Sequence, residues 1–386
     1  MQKLKNIIIS FFQIYSQIIF KKRVDVIFYY PQHFNRSKEG TNPYFDPLIE
    51  VCNENRIKYV VIEEPTYGTD KPRNIKAIKG DMIFLIAGTI RRLFRVIFNT
   101  SYLKREKYAA YITNILTFGK LRVKHCITIG GSGERLFIFL NPKGYTYDLQ
   151  HGIIYSFHYG YFYNNGLLRE ELSFNNLRFL VYGKGVKDIF LKKNIKIGNR
   201  VLDIGCPIIQ EINNFNYLAD IILISLQYTD DNNDTKNEYT KLFIDTINKL
   251  ECYKLNIQYK HHPRFDYSID LQEECKGYNI KETKERIDNI IKRTKLHITY
   301  SSTTAFEFAA YGVPTYFMIS EKIPYGKTIF YDEYEYPLYK DMTIEEVIER
   351  LNNPIHYEED SSIVRKWYKK FYKPFDKQAF YNIIKS

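Results

Sequence analysis

Two clusters in the second half of the chain carry the residue types that hold a phosphate. The first is Lys260-His261-His262-Pro263-Arg264, in which imidazoles and cations surround a rigid proline. Such groups bind anionic oxygens through charge-assisted hydrogen bonds. The second is Tyr300-Ser301-Ser302-Thr303-Thr304-Ala305-Phe306-Glu307, four hydroxyls ahead of an Ala-rich helical run that ends at Gly312 and Pro314. Hydroxyls and the unsatisfied backbone N–H groups of a helix start both donate to phosphate. These residues also admit a plainer reading, since Thr304 and Glu307 match the T-x-x-E capping box that merely closes a helix start. His261 and His262 are adjacent, so an extended chain turns them to opposite sides, and no zinc site built on both is expected.

The first half offers three groups for proton transfer or close backbone approach. Gln150-His151-Gly152 pairs an imidazole, which titrates near neutrality, with a glycine that permits a tight turn. His151 is the first candidate for a general base. Gly130-Gly131-Ser132-Gly133-Glu134 follows an apolar strand. It is not the dinucleotide fingerprint G-x-G-x-x-G, because Leu136 stands where the third pattern glycine belongs. It reads as a loop in which Gly131 and Ser132 approach a ligand, with Glu134 as a carboxylate base. Glu63-Glu64-Pro65 places a second carboxylate candidate, Glu64, at another strand end.

To present these groups the chain needs parallel strands, whose carboxyl ends are where open α/β sheets bind ligands. Apolar runs place strands at 24–30, 59–62, 126–129, 145–149, 177–181 and 200–204, and again at 221–226, 256–259, 296–299 and 315–318. Helical segments alternate with them, including a helix-rich stretch at 76–118 with the basic run Arg91-Arg92-Leu93-Phe94-Arg95, and helices at 238–250, near 284–294 and from 303. That alternation predicts βαβ units and parallel sheets. The organisation expected is an N-terminal amphipathic helix (1–23), a Rossmann-like domain (24–210), a second Rossmann-like domain (219–360) and a C-terminal basic aromatic helix (361–386).

The chain has 386 residues, enough for two cores, and a net charge of +12, which favours anionic partners. Its five cysteines form no C-x-x-C pair, which speaks against a disulfide framework and for a reducing cytoplasm. The apolar stretch 7–20 is shorter than the roughly 20 residues a bilayer requires. Asn6, Ser10, Gln13, Gln17 and Lys21 recur at helical spacing and draw a polar stripe beside a wide Ile/Phe/Tyr face. This is an amphipathic helix that either packs on the protein or lies in a membrane interface.

Two Rossmann-like halves with Gly205-Cys206-Pro207 before the crossover and a final helix resemble GT-B glycosyltransferases. Lys260-His261-His262-Pro263 resembles the K-P-H-P or H-P motif of bacterial capsule enzymes, with His261 where the motif has Pro. Those families include sialyl-, polysialyl- and Kdo-transferases and CDP-glycerol glycerophosphotransferases. Ser301–Thr304 resembles their Ser/Thr motif, and Gln150-His151-Gly152 a Q-H-G found in some of them. The acidic motif of polysialyltransferases is absent, Glu63-Glu64-Pro65 being the nearest match.

The resemblance implies an α/β GT-B fold with two parallel sheets facing a central cleft and the C-terminal helix returning to the N-terminal domain. It implies that Lys260, His262, Arg264, Ser301, Ser302, Thr303 and Thr304 hold a donor's phosphate, that Glu307 holds its ribose, and that Gly131 and Ser132 lie against the donor. The expected activity is metal-independent and cofactor-free transfer from a nucleotide-activated sugar, a CMP-sugar such as sialate or Kdo being favoured. The acceptor is a glycan or lipid-linked glycan, with His151, Glu134 and Glu64 as candidate bases. Alternatives are CDP-alditol phosphotransfer or UDP-sugar epimerisation on the same fold, or a non-enzymatic capsule-assembly or nucleic-acid-binding role. Nucleic acid is not the expected partner, because the tyrosines are scattered rather than arrayed on a basic face. The expected location is cytoplasmic, peripheral at the inner face of the cell membrane.

Overall fold

Runs of β-branched and aromatic residues without polar alternation belong in strands covered on both faces, the habit of parallel sheets. In the computed structural model they build two all-parallel sheets, in two units: Met1–Ile208 with Pro374–Ser386, and Ile209–Lys373. The structure describes residues 2–20, 24–36, 39–65, 73–131, 133–163, 165, 167–193, 195–209, 219–228, 233–262, 269–322 and 326–386.

The first unit contains α1 (Gln2–Ile14), β1 (Val26–Pro31), α2 (Asp46–Glu54), β2 (Tyr59–Glu64), β3 (Ile78–Lys79), α3 (Asp81–Val96), α4 (Tyr102–Leu116) and β4 (His125–Ile129). It continues with α5 (Glu134–Leu140), β5 (Tyr145–Leu149), β6 (Leu177–Val181), α6 (Lys184–Lys193) and β7 (Val201–Asp203). The sheet order is β3-β2-β1-β4-β5-β6-β7. Winding proceeds outward from β1 and then restarts on its other side at β4. Every residue of β1 and β4 is buried, so this reversal lies at the heart of the sheet. Connections leaving in opposite directions open a crevice at the carboxyl ends there.

The second unit contains β8 (Ile221–Ser225), α7 (Asn233–Glu251), β9 (Asn256–Lys260), α8 (Leu271–Glu274), β10 (Ile280–Glu282), α9 (Ile287–Ile290), β11 (Thr294–Thr299) and α10 (Thr304–Ala310). After them come β12 (Thr315–Phe317), α11 (Ile344–Asn352) and α12 (Pro354–Phe371). The order β10-β9-β8-β11-β12 repeats the scheme, with the reversal between β8 and β11. The α/β class with two parallel sheets is therefore as expected. The short edge strands β3 and β10 were not anticipated, since two or three residues carry no periodic signal. The helix expected near 284–294 runs over Ile287–Ile290 and is continued by a 3-10 turn, Ile291–Arg293, which β11 ends at Thr294.

The C-terminal segment corrects the expectation of a single helix over 361–386. α12 starts at Pro354, capped by the Asn353 side chain, and stops at Phe371. A second helix, α13 (Lys377–Lys385), begins after Asp376, whose carboxylate accepts from Ala379 N. Pro374 cannot donate within a helix and disfavours helical backbone before it, so the chain breaks there. α13 belongs to the first unit, where Lys377 pairs with Glu50 at 3.0 Å and Glu54 at 2.9 Å on α2. Gly205, at φ +79°, lets the chain pass against the Pro374 carbonyl, where a Cβ would collide.

On one side of the first sheet, α1, α3, α4 and α5 share a core that includes Ile14, Ile18, Ile83, Ala109 and Phe137. The polar stripe of α1 is turned inward. Ser10 is fully buried, donates to the Lys79 carbonyl and accepts from Met82 N at 2.9 Å. Gln13 Oε1 accepts from Lys79 N at 2.9 Å, and Lys79 Nζ donates to Asn6 Oδ1 at 2.9 Å.

Candidate functional site

In the first unit, the crevice at the strand-order reversal is a cavity of about 310 Å³, within the size range of small-molecule sites. Tyr29 of β1, Glu64 of β2 and Gly131, Gly133 and Glu134 after β4 form its floor, and α3 and α4 wall it with Arg91, Tyr102 and Glu106. The glycines are what let the loop pass: Gly131 (φ +80°) and Gly133 (φ +73°) adopt left-handed backbone, and a Cβ on Gly133 would strike the Tyr29 ring.

Glu134 is the notable group in this cavity. It is 1% exposed, and neither carboxylate oxygen has a hydrogen-bond partner among the described residues. Arg135 Nε stands 3.3 Å from Oε1. Burial raises the Glu134 carboxyl well above the usual range, and neighbouring Asp148 raises it further against the pull of Arg135. Asp148 is itself raised by burial, and accepts from Gly131 N at 3.0 Å and Tyr161 OH at 2.9 Å. Glu64 is raised by burial, with Arg91 and a hydrogen bond from Tyr29 opposing. The two arginines are held in place. Arg91 pairs with buried Glu106 at 2.7 Å, and Arg135 lies 5.4 Å from the Tyr102 ring centroid. The cavity thus sets two carboxyls of raised pKa beside two fixed guanidinium groups.

Two neighbouring residues divide their roles by strand alternation. Glu63, next to Glu64, points away into a buried knot, where Arg73 Nε meets its Oε2 at 2.7 Å and Arg73 Nη1 meets Asp81 Oδ2 at 2.8 Å. Gln150 is likewise structural: its Oε1 accepts from Tyr182 N at 2.9 Å, and its Nε2 donates to the Gly152 carbonyl at 2.8 Å. That frame, with Gly152 at φ +73°, sets out the exposed His151 beside Phe34 and Tyr44, at ring centroid distances of 4.8 and 5.4 Å. The His151 Cβ packs against Gly130, and the residue does not line the cavity. Of the first-unit candidates, Glu64, Gly131 and Glu134 come together around one space, and His151 stands apart. Ser132 lies outside the described residues.

In the second unit, Lys260, Ser225 and Thr299 are in register across β9, β8 and β11. The Lys260–His262 and Ser301–Thr304 segments therefore leave the same sheet edge two strand spacings apart, about 10 Å. Lys260 Nζ donates to the Glu285 carbonyl at 2.6 Å. His261 packs edge-on against Tyr259 at 5.4 Å, and burial lowers its pKa. His262 is half-buried. Pro263 and Arg264 lie outside the described residues.

The capping-box reading of Thr304 and Glu307 is overturned. The N-cap of α10 is Thr303, which puts Phe306, not Glu307, at the third helical position, and no side chain caps the helix. Instead Ser302 Oγ accepts from Thr304 Oγ1 at 2.8 Å and Thr304 N at 3.3 Å. The box forms elsewhere, between Thr343 and Glu346. Glu307 is thus not used for capping, and burial, then Asp288, pushes its carboxyl up to about 7.

Several residues at these sites were not foreseen. Gln227, after β8, accepts at Oε1 from both Ser301 N at 2.7 Å and Ser301 Oγ at 3.1 Å. Buried His297 joins Thr315 Oγ1 at 3.0 Å and Ser225 Oγ at 2.9 Å and stacks on Phe308. Burial lowers His297 to about 3, so it is neutral and structural. Among the described residues no group of three or more His, Cys, Asp or Glu side chains is placed to hold a metal.

No protein-family model matches the chain, and no curated protein matches it in sequence. Solved structures do resemble it. The wall teichoic acid polymerase TagF matches with TM-score 0.55 at 15% identity, covering 100% of this chain and 92% of that one. MnaA of S. aureus, solved with UDP, matches with TM-score 0.54 at 10% identity over 94% and 95%. The UDP-GlcNAc 2-epimerase of Neisseria meningitidis, bound to UDP-GlcNAc, matches with TM-score 0.54 at 11% identity over 94% and 100%. At these identities the likeness establishes the fold, two α/β units of GT-B type, and nothing further.

Proposed function

We propose that the protein is a transferase that moves a sugar from a nucleotide-activated donor, held at the β8/β11 edge, to a hydroxyl of a surface-glycan acceptor held in the first-unit cavity. The observation that carries this reading is Glu134: a buried carboxyl of raised pKa, with no hydrogen-bond partner among the described residues, in the strand-reversal cavity. A base with pKa nearer neutrality is a better proton acceptor for a hydroxyl than an ordinary carboxylate. Glu134 takes the acceptor proton, the acceptor oxygen bonds to the anomeric carbon, and the bond from that carbon to the donor phosphate breaks. His262 and the Ser301–Thr304 hydroxyls receive the departing phosphate. With a CMP-sugar donor such as CMP-sialate or CMP-Kdo the leaving group is CMP, which carries a single phosphate, so this scheme calls for no metal.

The similar structures lend support to a nucleotide-linked donor, since two of them hold UDP or UDP-GlcNAc. The same likeness favours a second reading. One TagF structure was soaked with CDPG, and that chain and this one align over 96% and 100% of their lengths. Alditol-phosphate transfer and 2-epimerisation are therefore carried as alternatives. Incubation with CMP-sialate, CMP-Kdo, CDP-glycerol and UDP-GlcNAc, read by mass spectrometry, separates them. Turnover of the CDP or UDP compound alone would overturn the CMP-sugar assignment.

Two outcomes test the donor site. His262→Ala should weaken nucleotide binding by about 10–100-fold, the worth of one charge-assisted hydrogen bond. In this reading Glu307 accepts from the ribose hydroxyls, and the ionised carboxylate does so more strongly than the neutral acid. With its carboxyl at about 7, nucleotide affinity should rise as pH climbs through neutrality, and Glu307→Gln should flatten that dependence. Calorimetric titration of CMP, CDP and UDP from pH 6 to 8 reads both. Unchanged affinity in both variants would remove the nucleotide from this edge.

A further inference from the structure

The three helices α1, α3 and α4 lie side by side over one face of the first sheet, and each is apolar on the side turned away from it. On α1 and the turn after it, Leu4, Ile8, Phe12 (65% exposed) and Phe20 (79%) face solvent. α3 adds Leu93 and Val96 (73%), and Ile97 and Phe98 follow it. α4 adds Tyr111 and Ile115, with Phe118 (71%) just beyond. A patch of this extent on a folded chain marks an interaction site. The exposure is built in. Rolling α1 to bury Phe12 would break the bonds that tie Asn6, Ser10 and Gln13 to Lys79 and Met82.

The exposed charge carried by these helices has one sign. Residues 2–20 contain no Asp or Glu, and residues 81–124 contain only Asp81 and Glu106. Both acids are buried, on Arg73 and Arg91 respectively. The exposed charges on the helices are Lys3 and Lys5 on α1, Arg92 and Arg95 on α3, and Lys104 and Lys107 on α4, with Lys120, Arg122 and Lys124 following α4. Aromatic and aliphatic side chains on helices whose exposed charges are all cationic match the boundary between anionic headgroups and acyl chains. A second copy of the chain fits worse, because a two-fold contact would set these cations against one another. No helix among the described residues is long and apolar enough to cross a membrane, so contact is confined to the interface.

We propose that α1, α3 and α4 together form a docking face for an anionic lipid bilayer. α1 alone is too narrow a description, since most of the apolar surface and four of the six cations come from the other two helices. The same α3 and α4 wall the cavity of Glu134, so docking brings that cavity alongside the headgroup layer. This last consequence rests on the acceptor reading of the cavity, whereas the docking itself does not.

The test is co-sedimentation of the full-length protein with vesicles of phosphatidylcholine alone and of phosphatidylcholine mixed with phosphatidylglycerol. Binding at least tenfold tighter to the anionic vesicles, reduced by added salt, is expected. R92A/R95A should lower that binding by roughly 25-fold, V96S/F98S should weaken binding to both vesicle types, and K281A/K284A on the second unit should change neither. These side chains lie at the surface, so unchanged melting temperatures confirm that the variants fold. Equal affinity for the two vesicle types, or equal loss in K281A/K284A, overturns the proposal. So does a dimer in sedimentation velocity that V96S/F98S dissolves while vesicles go unbound. Donor turnover in detergent-free solution, measured in parallel, separates failure of docking from failure of the transferase reading.

Discussion

Glu134→Gln is expected to lower turnover by about 10²–10⁴-fold, the usual worth of a positioned base, with nucleotide binding unchanged. It is also expected to stabilise the protein at alkaline pH. The two effects have one cause. Burial and the Asp148 charge raise the Glu134 carboxyl, so the folded state holds its proton to higher pH than the unfolded chain does. Stability linked to this group is full below the unfolded pKa near 4.5 and is lost as pH rises through the folded value. Glutamine removes that loss. Wild type and variant should melt alike near pH 4, and the variant should melt higher at pH 9. A one-unit rise in pKa is worth about 1.4 kcal/mol, or about 3–6 °C in a domain of this size. The kinetic signature runs the same way. The base acts only when ionised, so kcat/KM should rise with pH along a limb displaced above the ordinary carboxylate range, and that limb should vanish in the variant. Because Glu134 and Asp148 interact, the limb reports the pair. His151→Ala is the control, since His151 stands outside the cavity. If His151→Ala abolishes turnover while Glu134→Gln keeps it, the base is the imidazole.

The parts of this architecture visible in the sequence are those set by local pattern. Parallel strands buried on both faces are unbroken apolar runs, so β5 and β6 fall at the expected residues. Loops after such strands are where ligands meet open α/β sheets, which is why Gly131, Glu134, Lys260 and Ser301 stand out as candidates in the sequence. What the sequence hid is set by partners distant along the chain. Arg91 and Tyr102 look like surface residues of basic helices until α3 and α4 pack over the β1/β4 crevice. One hint was available: Glu106 is the lone acid among Lys104, Arg105 and Lys107, and a lone acid in such a run suggests an internal partner. Asp148 offered a similar hint, a charge inside the strand Tyr145–Leu149. The roll of α1 was illegible in principle. Helical spacing says that polar and apolar residues segregate, but not which side faces the protein, and the answer depends on backbone groups at Lys79 and Met82. The capping box failed by one residue of register, which moved Glu307 from helix closure to a candidate ligand contact.

The largest stability effect expected from a single substitution is at Arg73. Its guanidinium meets Glu63 Oε2 at 2.7 Å, the Glu63 carbonyl at 3.1 Å and Asp81 Oδ2 at 2.8 Å, while both carboxylates are about 1% exposed. Asn35 and Asn74 N complete the knot at Glu63 Oε1, at 2.5 and 3.1 Å. The knot joins the end of β2 to the first residue of α3, so it sets where Glu64 and Arg91 enter the cavity. Arg73→Met leaves two buried carboxylates without their cation, and breaking a buried pair in this way costs about 3–5 kcal/mol. For a unit of this size that is roughly a 10 °C fall in melting temperature. Replacing the whole set, as R73M/E63Q/D81N, should restore much of the stability, because removing both signs of charge leaves no uncompensated ion. The triple variant also separates position from stability. If the knot aligns β2 with α3, the triple variant melts close to wild type yet turns over donor more slowly, with nucleotide affinity at the second unit unchanged. A triple variant that is both stable and fully active would show that the knot only offsets its own buried charge.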